Sequence, residues 1–312
     1  SAGPFSGMLV PGAGKLDVTT KSPLTGGYAG ANVGGLLSAE LKYAGYDTIA
    51  IEGQANHPVY LWIDNDRVEL RDASHLWGQG SLTTERQLKE TLGDDFQIAT
   101  IGPAGEEGVA YACISHDFGR QAGRGGVGAV MGAKRLKAIA VRGNRSIPVA
   151  DPVTYRHLAR EMYAACKASP SIEVWQKYGT AGVTTWANEI GAFPTHNFRS
   201  GYFAGSPSLS GETMRSAIVV TDKGCFACPS PCGKYSHSQK HGVYVEGPEY
   251  ETTAMIGGDC GLADIEDVAY ANYLCDELGL DTISAGNAIA FAIECFQRGI
   301  INTSHTGGLA LR

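Results

Sequence analysis

An α+β architecture in two successive parts is what this sequence predicts: a β-sheet-rich domain over 1–148, then a mainly α-helical domain over 149–312. Three observations carry the prediction. Short apolar runs bounded by turn residues fill the first part, apolar residues recur at helical spacing in the second, and the character changes just past Pro148.

Taken in order, Val59-Tyr-Leu-Trp-Ile63 and Val68-Glu-Leu-Arg71 flank Asn65-Asp66, which reads as strand, turn, strand. Phe96–Ile101 and Ala138–Val141 are further strands. A helix lies near 84–92, where Glu85 and Lys89 sit at the i,i+4 spacing of a stabilising pair. Asp151-Pro152 then opens a helix with a capping carboxylate and proline at its first turn, running through Tyr155, Leu158, Ala159 and Met162. Helical spacing recurs over 265–279 and 284–298, with Ala288, Phe291, Ala292 and Cys295 on one face of the latter.

Apolar content of 43% and charged content of 18% describe an ordinary globular chain of 312 residues, long enough for two cores. A net charge of −7, with no Lys/Arg run, argues against nucleic acid as a partner. No apolar run approaches the ~20 residues of a membrane helix, so no membrane is expected, and no signal-peptide pattern opens the chain. Ser1 is an unusual start, which leaves an upstream export signal open. Eight cysteines, three bunched and the rest scattered through apolar or helical stretches, do not make a disulfide framework and suit a reducing cytoplasm.

The bunched cysteines form Cys225-x-x-Cys228-x-x-x-Cys232, read as an irregular insertion carried by the helical domain, with Pro229, Pro231 and Gly233 keeping the backbone out of helix and strand. Two metals answer to this spacing. A [4Fe–4S] cluster needs four thiolates, of which the loop supplies three; a zinc site would need His237 or His241 as fourth ligand.

Glycine is the compositional outlier: 42 residues, close to twice the usual share of about 7%. They concentrate in Gly26–Gly35 and Gly119–Gly132, where bare backbone can approach a bulky phosphorylated ligand and offer it N–H groups. Gly123-x-Gly125-x-x-Gly128 matches a dinucleotide fingerprint formally. The acidic residue expected ~20 positions on is missing, and Asp151 reads as a helix cap, so NAD is disfavoured.

Two further segments carry acids. Glu246-Gly-Pro-Glu249-Tyr-Glu251-Thr is a turn with three carboxylates, and Asp276-Glu-Leu-Gly279-Leu280-Asp281 reads as a helix ending at Gly279 with the next restarting at Asp281–Ser284.

Taken together these segments resemble the aldehyde:ferredoxin oxidoreductase family of tungsten enzymes. The likeness runs through Lys21–Gly26, Ala31–Gly35 into Ala39–Gly45, Ala122–Gly132, Pro194-Thr-His-Asn-Phe198, the cysteine loop, Gly247–Thr252 and Asp276–Asp281. It implies that the first domain binds a tungsten (or molybdenum) bis-pyranopterin, with a Mg2+ ion bridging the pterin phosphates and taking backbone carbonyls from Asn32 and Ala122. Lys15 and the Ala122, Gly123, Arg124, Gly125 segment fall at cofactor contacts, as do Asp276, Gly279, Leu280 and Asp281, a D-x-x-G-L-D motif facing a pterin edge. Cys225, Cys228 and Cys232 match three ligands of a [4Fe–4S] cluster. Glu251, or its neighbour Glu249, falls at a carboxylate near the metal, suited to accept a proton.

The activity so implied is oxidation of a small aldehyde to a carboxylic acid with water, electrons leaving through the cluster to ferredoxin or an iron–sulfur subunit; a homodimer is the implied assembly. Reduction of an aromatic acyl thioester as the tungsten subunit of a larger complex is the alternative within the family. A non-catalytic electron-transfer or zinc module is the alternative outside it. The sequence departs from the family in having Lys15 where arginine is common. It also matches only about the first half of a member, so the second D-x-x-G-L motif with the fourth cluster cysteine is missing. Cys260 and Cys275 are read as packing residues instead of substitutes. The chain is then a fragment, or a second polypeptide completes the site.

Overall fold

Alternating burial along the chain decides how the first sheet is covered. A computed structural model describes residues 1–311. The chain divides into two compact units, the first formed by Ser1–Glu173, Lys223–Pro231 and Asp276–Asp281, the second by Val174–Asp222, Cys232–Cys275 and the residues from Thr282.

In the first unit, β1 (Leu16–Lys21) and β2 (Tyr28–Val33) form an antiparallel pair with Leu16 opposite Val33. β2 buries Ala29, Ala31 and Val33 and exposes the residues between, the period-2 signature of a strand with one covered face. Six strands make the main sheet: β3 (Val59–Asp64), β4 (Arg67–Asp72), β5 (Gln97–Thr100), β6 (Ile114–His116), β7 (Arg120–Ala122) and β8 (Leu136–Arg142), in spatial order β4-β3-β8-β5-β6-β7. All neighbours run antiparallel except β3 and β8.

β3 is buried on both faces and separates two cores. Val59, Leu61 and Ile63 join one with Leu16, Val33 and, from α1 (Leu37–Tyr43), Leu37 and Leu41; α4 (Val127–Ala133) adds Val127 and Met131. Tyr60 and Trp62 point the other way, to Leu76, Leu88 and Phe96. Trp62 stacks on Phe96 with centroids 5.9 Å apart, and the Arg71 guanidinium lies 3.7 Å from the Trp62 centroid.

The expected Asn65-Asp66 hairpin forms, with Asn65 in the left-handed region at φ 54. The helix near 84–92 is α2 (Ser81–Leu92), but its Glu85 does not pair with Lys89 at the surface. Glu85 is fully buried and accepts the amides of Asp117 and Phe118 at 3.0 and 2.9 Å, while the Lys89 ammonium donates to the carbonyls of Asp94 and Phe96. Two left-handed residues, Asp117 and Phe118, present adjacent N–H groups, and a buried carboxylate satisfies both. Beyond the sheet, α5 (Pro152–Lys167) starts as read, with Asp151 accepting from the amides of Val153 and Thr154.

The second unit is mainly helical around Phe193, Leu209, Met214, Ala254 and Val268, yet it also holds a three-stranded sheet that the sequence reading missed. β9 (Val219–Lys223) borders β10 (Gly233–Ser238), which pairs antiparallel with β11 (Val243–Glu246). Their residues are Ser, Lys, His and Tyr as often as aliphatic, so no apolar alternation marks them. A short α9 (Tyr250–Thr252) runs into a wider π-helical segment, Thr253–Asp259, all of it buried. α10 (Ile265–Leu278) stops before Gly279, at φ 75, and α11 (Thr282–Gln297) follows, as the sequence predicts. Among the described residues no helix is long and apolar enough to cross a membrane.

Candidate functional site

In the first unit the cysteine loop is held by its neighbours rather than by regular structure. The Phe226 amide donates to the Gly35 carbonyl at 3.0 Å, and the Tyr163 hydroxyl from α5 donates to the Ala227 carbonyl at 2.6 Å. The Tyr43 ring of α1 meets Phe226 edge-on at 6.2 Å. These contacts bring Cys225 against the end of β2. A Cβ built on Gly34 would stand 2.5 Å from the Cys225 sulfur, with the Lys15 ammonium 3.8 Å and the Arg120 side chain 3.9 Å away. Arg120 also donates to the Lys223 carbonyl at 3.1 Å, and Lys223 pairs with Asp117 at 3.3 Å. Two cationic side chains, Lys15 and Arg120, thus stand beside Cys225, a setting that suits a negatively charged group.

Gly34→Ala is therefore expected to displace the Cys225 sulfur, since a contact under 3.0 Å cannot be kept. The measurement is iron per protein in the complete enzyme, predicted to fall to half or less with the far-ultraviolet dichroism unchanged; full iron content would contradict it.

The glycine-rich loop is anchored differently at each position. At Gly126, φ 74, a Cβ would stand 2.2 Å from the Ala110 carbonyl oxygen, so this glycine serves packing. At Gly123 the nearest side-chain atom would be 3.9 Å away, so backbone there lies open to a ligand. β7 precedes the loop and runs antiparallel to β8 through the sheet order, so this is not a βαβ unit and the dinucleotide reading fails on topology. β2 and β7 adjoin, which puts Asn32, exposed, and Ala122, fully buried, on neighbouring strands.

The D-x-x-G-L-D segment docks beside the same strands. The Cys113 amide donates to the Gly279 carbonyl at 2.9 Å, Ala112 bridges to Leu280, and the Asp281 amide donates to the Tyr111 carbonyl at 3.3 Å. Asp276 is 2% exposed and accepts from the Gln121 side-chain amide at 2.8 Å. Asp281, also buried, pairs with Arg124 at 3.3 Å. Lys15, Asn32, Ala122–Gly125, Cys225, Cys228 and Asp276–Asp281 therefore belong to one unit.

Cys232, Glu249 and Glu251 belong to the second unit. There the Thr180 hydroxyl donates to the Glu249 carboxylate and accepts the Tyr250 amide at 2.8 Å, so Glu249 is engaged in holding the turn. Glu251, on the first turn of α9, is exposed and its carboxylate makes no hydrogen bond or ion pair among the described residues; burial, and then the Glu251 charge, push the neighbouring Tyr250 phenol up. The π-helix that follows is a form frequent at functional sites.

Both histidines that could complete a zinc site with the cysteine loop are engaged elsewhere. His237 stacks on Tyr244 at 4.2 Å, and His241 binds Asp267 at 2.7 Å while stacked on Tyr270. Among the described residues no three His, Cys, Asp or Glu side chains converge on a metal-sized site, and this includes Cys225, Cys228 and Cys232. Cys260 places its sulfur 3.3 Å from the Met255 and Gly286 carbonyls, and burial pushes its thiol up to about 12, which makes it a packing residue. Arg120 and Gln121 lay inside a glycine-rich stretch the sequence flagged, but nothing in the spacing singled them out.

Comparison with known proteins agrees with the geometry. The family model for the aldehyde ferredoxin oxidoreductase N-terminal domain matches residues 1–143, and that for its domains 2 and 3 matches 157–312. A tungsten-containing aldehyde ferredoxin oxidoreductase of Pyrococcus horikoshii is 46% identical over 310 residues, 99% of this chain and 51% of that protein. An aliphatic sulfonate oxidoreductase WOR-like subunit of Pyrococcus furiosus is 34% identical over 324 residues, 98% of this chain and 51% of that one. Among solved structures, the active-site complex BamBC of benzoyl coenzyme A reductase with 1,5-dienoyl-CoA aligns with a TM-score of 0.82 at 31% identity, covering 97% of this chain and 48% of that chain. The chain spans about half the length of the curated relatives it matches, and it belongs to the aldehyde ferredoxin oxidoreductase family.

Proposed function

We propose that this chain is the pterin-binding and cluster-binding part of an enzyme that oxidises an aldehyde with water to a carboxylic acid, releasing two electrons and two protons. What carries the reading is the 46% identity over 99% of the chain to an enzyme of that name, alongside the grouping of Asp276–Asp281, the Ala122–Gly125 loop and Cys225 in one unit. Bound tungsten bis-pyranopterin would supply Lewis acidity and accept the electron pair, and the [4Fe–4S] cluster would pass electrons singly to ferredoxin or an iron–sulfur subunit.

The chain's own residues serve binding, orientation and proton movement. Asp276 and Asp281 would accept N–H groups of a pterin, the Gly123 backbone and Arg124 would bind its phosphates, and the Asn32 and Ala122 carbonyls would suit a Mg2+ ion. Cys225, Cys228 and Cys232 would supply three thiolates to the cluster, with Lys15 and Arg120, beside Cys225, offsetting negative charge. Glu251, unencumbered where Glu249 is bound, takes a proton at its carboxylate as substrate is oxidised.

The test is metal and pterin analysis of the complete, anaerobically purified enzyme, with dye-linked oxidation of a panel of aldehydes. Lack of both tungsten and molybdenum would sink the proposal. The alignment with the benzoyl coenzyme A reductase complex favours a second reading, reduction of an aromatic acyl thioester. Metal and pterin present, with no dye reduced by any aldehyde, would move the assignment there.

A further inference from the structure

We infer that Lys137 is a positioning residue for the pterin: its buried ammonium fixes two glycine turns against which the Asp276–Asp281 segment packs. The inference rests on the function proposed above and concerns a residue outside every motif described so far.

The packing is of main chain against main chain. A Cβ built on Gly102 would overlap the Leu278 carbonyl group and stand 2.6 Å from the Glu277 carbonyl oxygen. One built on Gly80 would overlap the Glu277 carboxylate, and one on Gly279, φ 75, would stand 2.7 Å from the Gly102 nitrogen. All three positions must be bare for residues 277–279 to lie where they do. The residues just before Gly80 and Gly102 are held by a single group. Lys137, on β8, is fully buried, and its ammonium donates to the Gln79 carbonyl at 2.7 Å, to the Ile101 carbonyl at 2.8 Å and to the Glu106 carboxylate at 2.5 Å. Its three N–H bonds thus meet three acceptors. Glu106, whose side chain is also buried, accepts the Gly78 amide at 2.7 Å, which ties the first turn a second time.

The arrangement has a consequence for the ligand. Groups that are to meet a rigid heterocycle must be set to within a fraction of an ångström, and a turn of small residues has no side chains with which to hold itself. Here one charge does it for two turns at once, from beneath the sheet strand that carries it. An apolar side chain at 137 would take the ammonium from all three acceptors together, and burying polar groups without partners is costly enough to move them. The segment would not come loose, because Gly279, Leu280 and Asp281 are joined to Cys113, Ala112 and Tyr111 by main-chain bonds. Its packed residues, 277–279, would shift with the turns, and the motif that spans them would present a different outline to the pterin.

A matched control separates positioning from stability. In the complete enzyme Lys137→Met is combined with Glu106→Gln, so that no unpaired carboxylate stays buried. Leu88→Ala, in the core around Trp62 and Phe96, supplies an ordinary loss of stability. Release of fluorescent pterin is timed for each protein at the same interval below its own melting temperature, where a merely structural role predicts equal rates. The double variant is expected to release pterin about ten-fold faster than the native enzyme, the usual order for a bond to a charged group, and Leu88→Ala at the native rate. Gly102→Ala crowds Leu278 while leaving the lysine in place, and it should release as fast as the double variant; should the latter not fold, this variant decides. Equal release from the double variant and Leu88→Ala, or native-like release from Gly102→Ala, overturns the inference while leaving the proposed function standing. Native enzyme that yields no pterin overturns both.

Discussion

Glu251→Gln is expected to lower kcat for aldehyde oxidation by about 100-fold or more, the range for loss of a general base, with iron, tungsten and pterin contents unchanged. Glu249→Ala should do the reverse, weakening stability by about 1 kcal/mol through the lost Thr180 bond and leaving kcat within about three-fold. The contrast follows from the local chemistry of one turn. A single hydroxyl, that of Thr180, donates to Glu249 while accepting the Tyr250 amide, so Glu249 belongs to the frame of the turn. Glu251, two residues on, is exposed, and its carboxylate has no hydrogen-bond or ion-pair partner among the described residues. A proton acceptor must be free to receive and release, which fits the second carboxylate. Kinetics of both variants on one aldehyde, with urea melts, would decide it. Loss of turnover in Glu249→Ala with an active Glu251→Gln would exchange the roles.

Sequence spacing alone could not have chosen between these two carboxylates, and the reason is general to this chain. Motifs made of residue types at fixed spacing were legible: the Asp151 cap, the helix break at Gly279, the Asn65 turn and the strands around Trp62 stand where local pattern put them. Elements held by small or polar residues were not. β2 turns Ala29, Ala31 and Val33 inward, and small side chains among glycines look like loop until a second strand is seen beside them. β10 and β11 carry Ser, His and Tyr, whose alternation has no apolar contrast. Contacts between residues far apart in sequence stayed hidden altogether. Gln121 reaches Asp276 across 155 positions and Cys225 meets Gly34 across nearly 200, and neither partner advertises the other. The family motifs named the segments that matter; they did not say which carboxylate frames the turn or which glycine is packed.

The same blindness applied to Glu85, and its burial leads to a prediction about acid stability. Burial pushes the Glu85 carboxyl up from 4.5 to about 7, despite two backbone amides that favour its charged form. Because its folded value lies above its unfolded one, its contribution is complete below pH 4.5 and is lost as pH rises through 7. His116, fully buried on β6, shifts the other way, from 6.5 to about 4. Its Nδ1–H donates to the Ile98 carbonyl at 2.9 Å and its Nε2 accepts the Leu36 and Leu37 amides at 3.1 Å, so a second proton would break two bonds. Its contribution is complete above pH 6.5 and is lost as pH falls through 4. Between pH 4.5 and 6.5 the two slopes oppose each other, and each spans on the order of 3 kcal/mol at 1.36 kcal/mol per unit. The charges nearby do not upset the balance, because Asp117 raises both groups while Lys89 and Lys223 lower both. The native protein should therefore show nearly constant urea stability across that window. In Glu85→Gln the histidine is left uncompensated, and stability should fall by about 3 kcal/mol on going from pH 6.5 toward 4. A variant as flat as the native protein would show that His116 does not resist protonation, and that the amides of Leu36 and Leu37 do not depend on it.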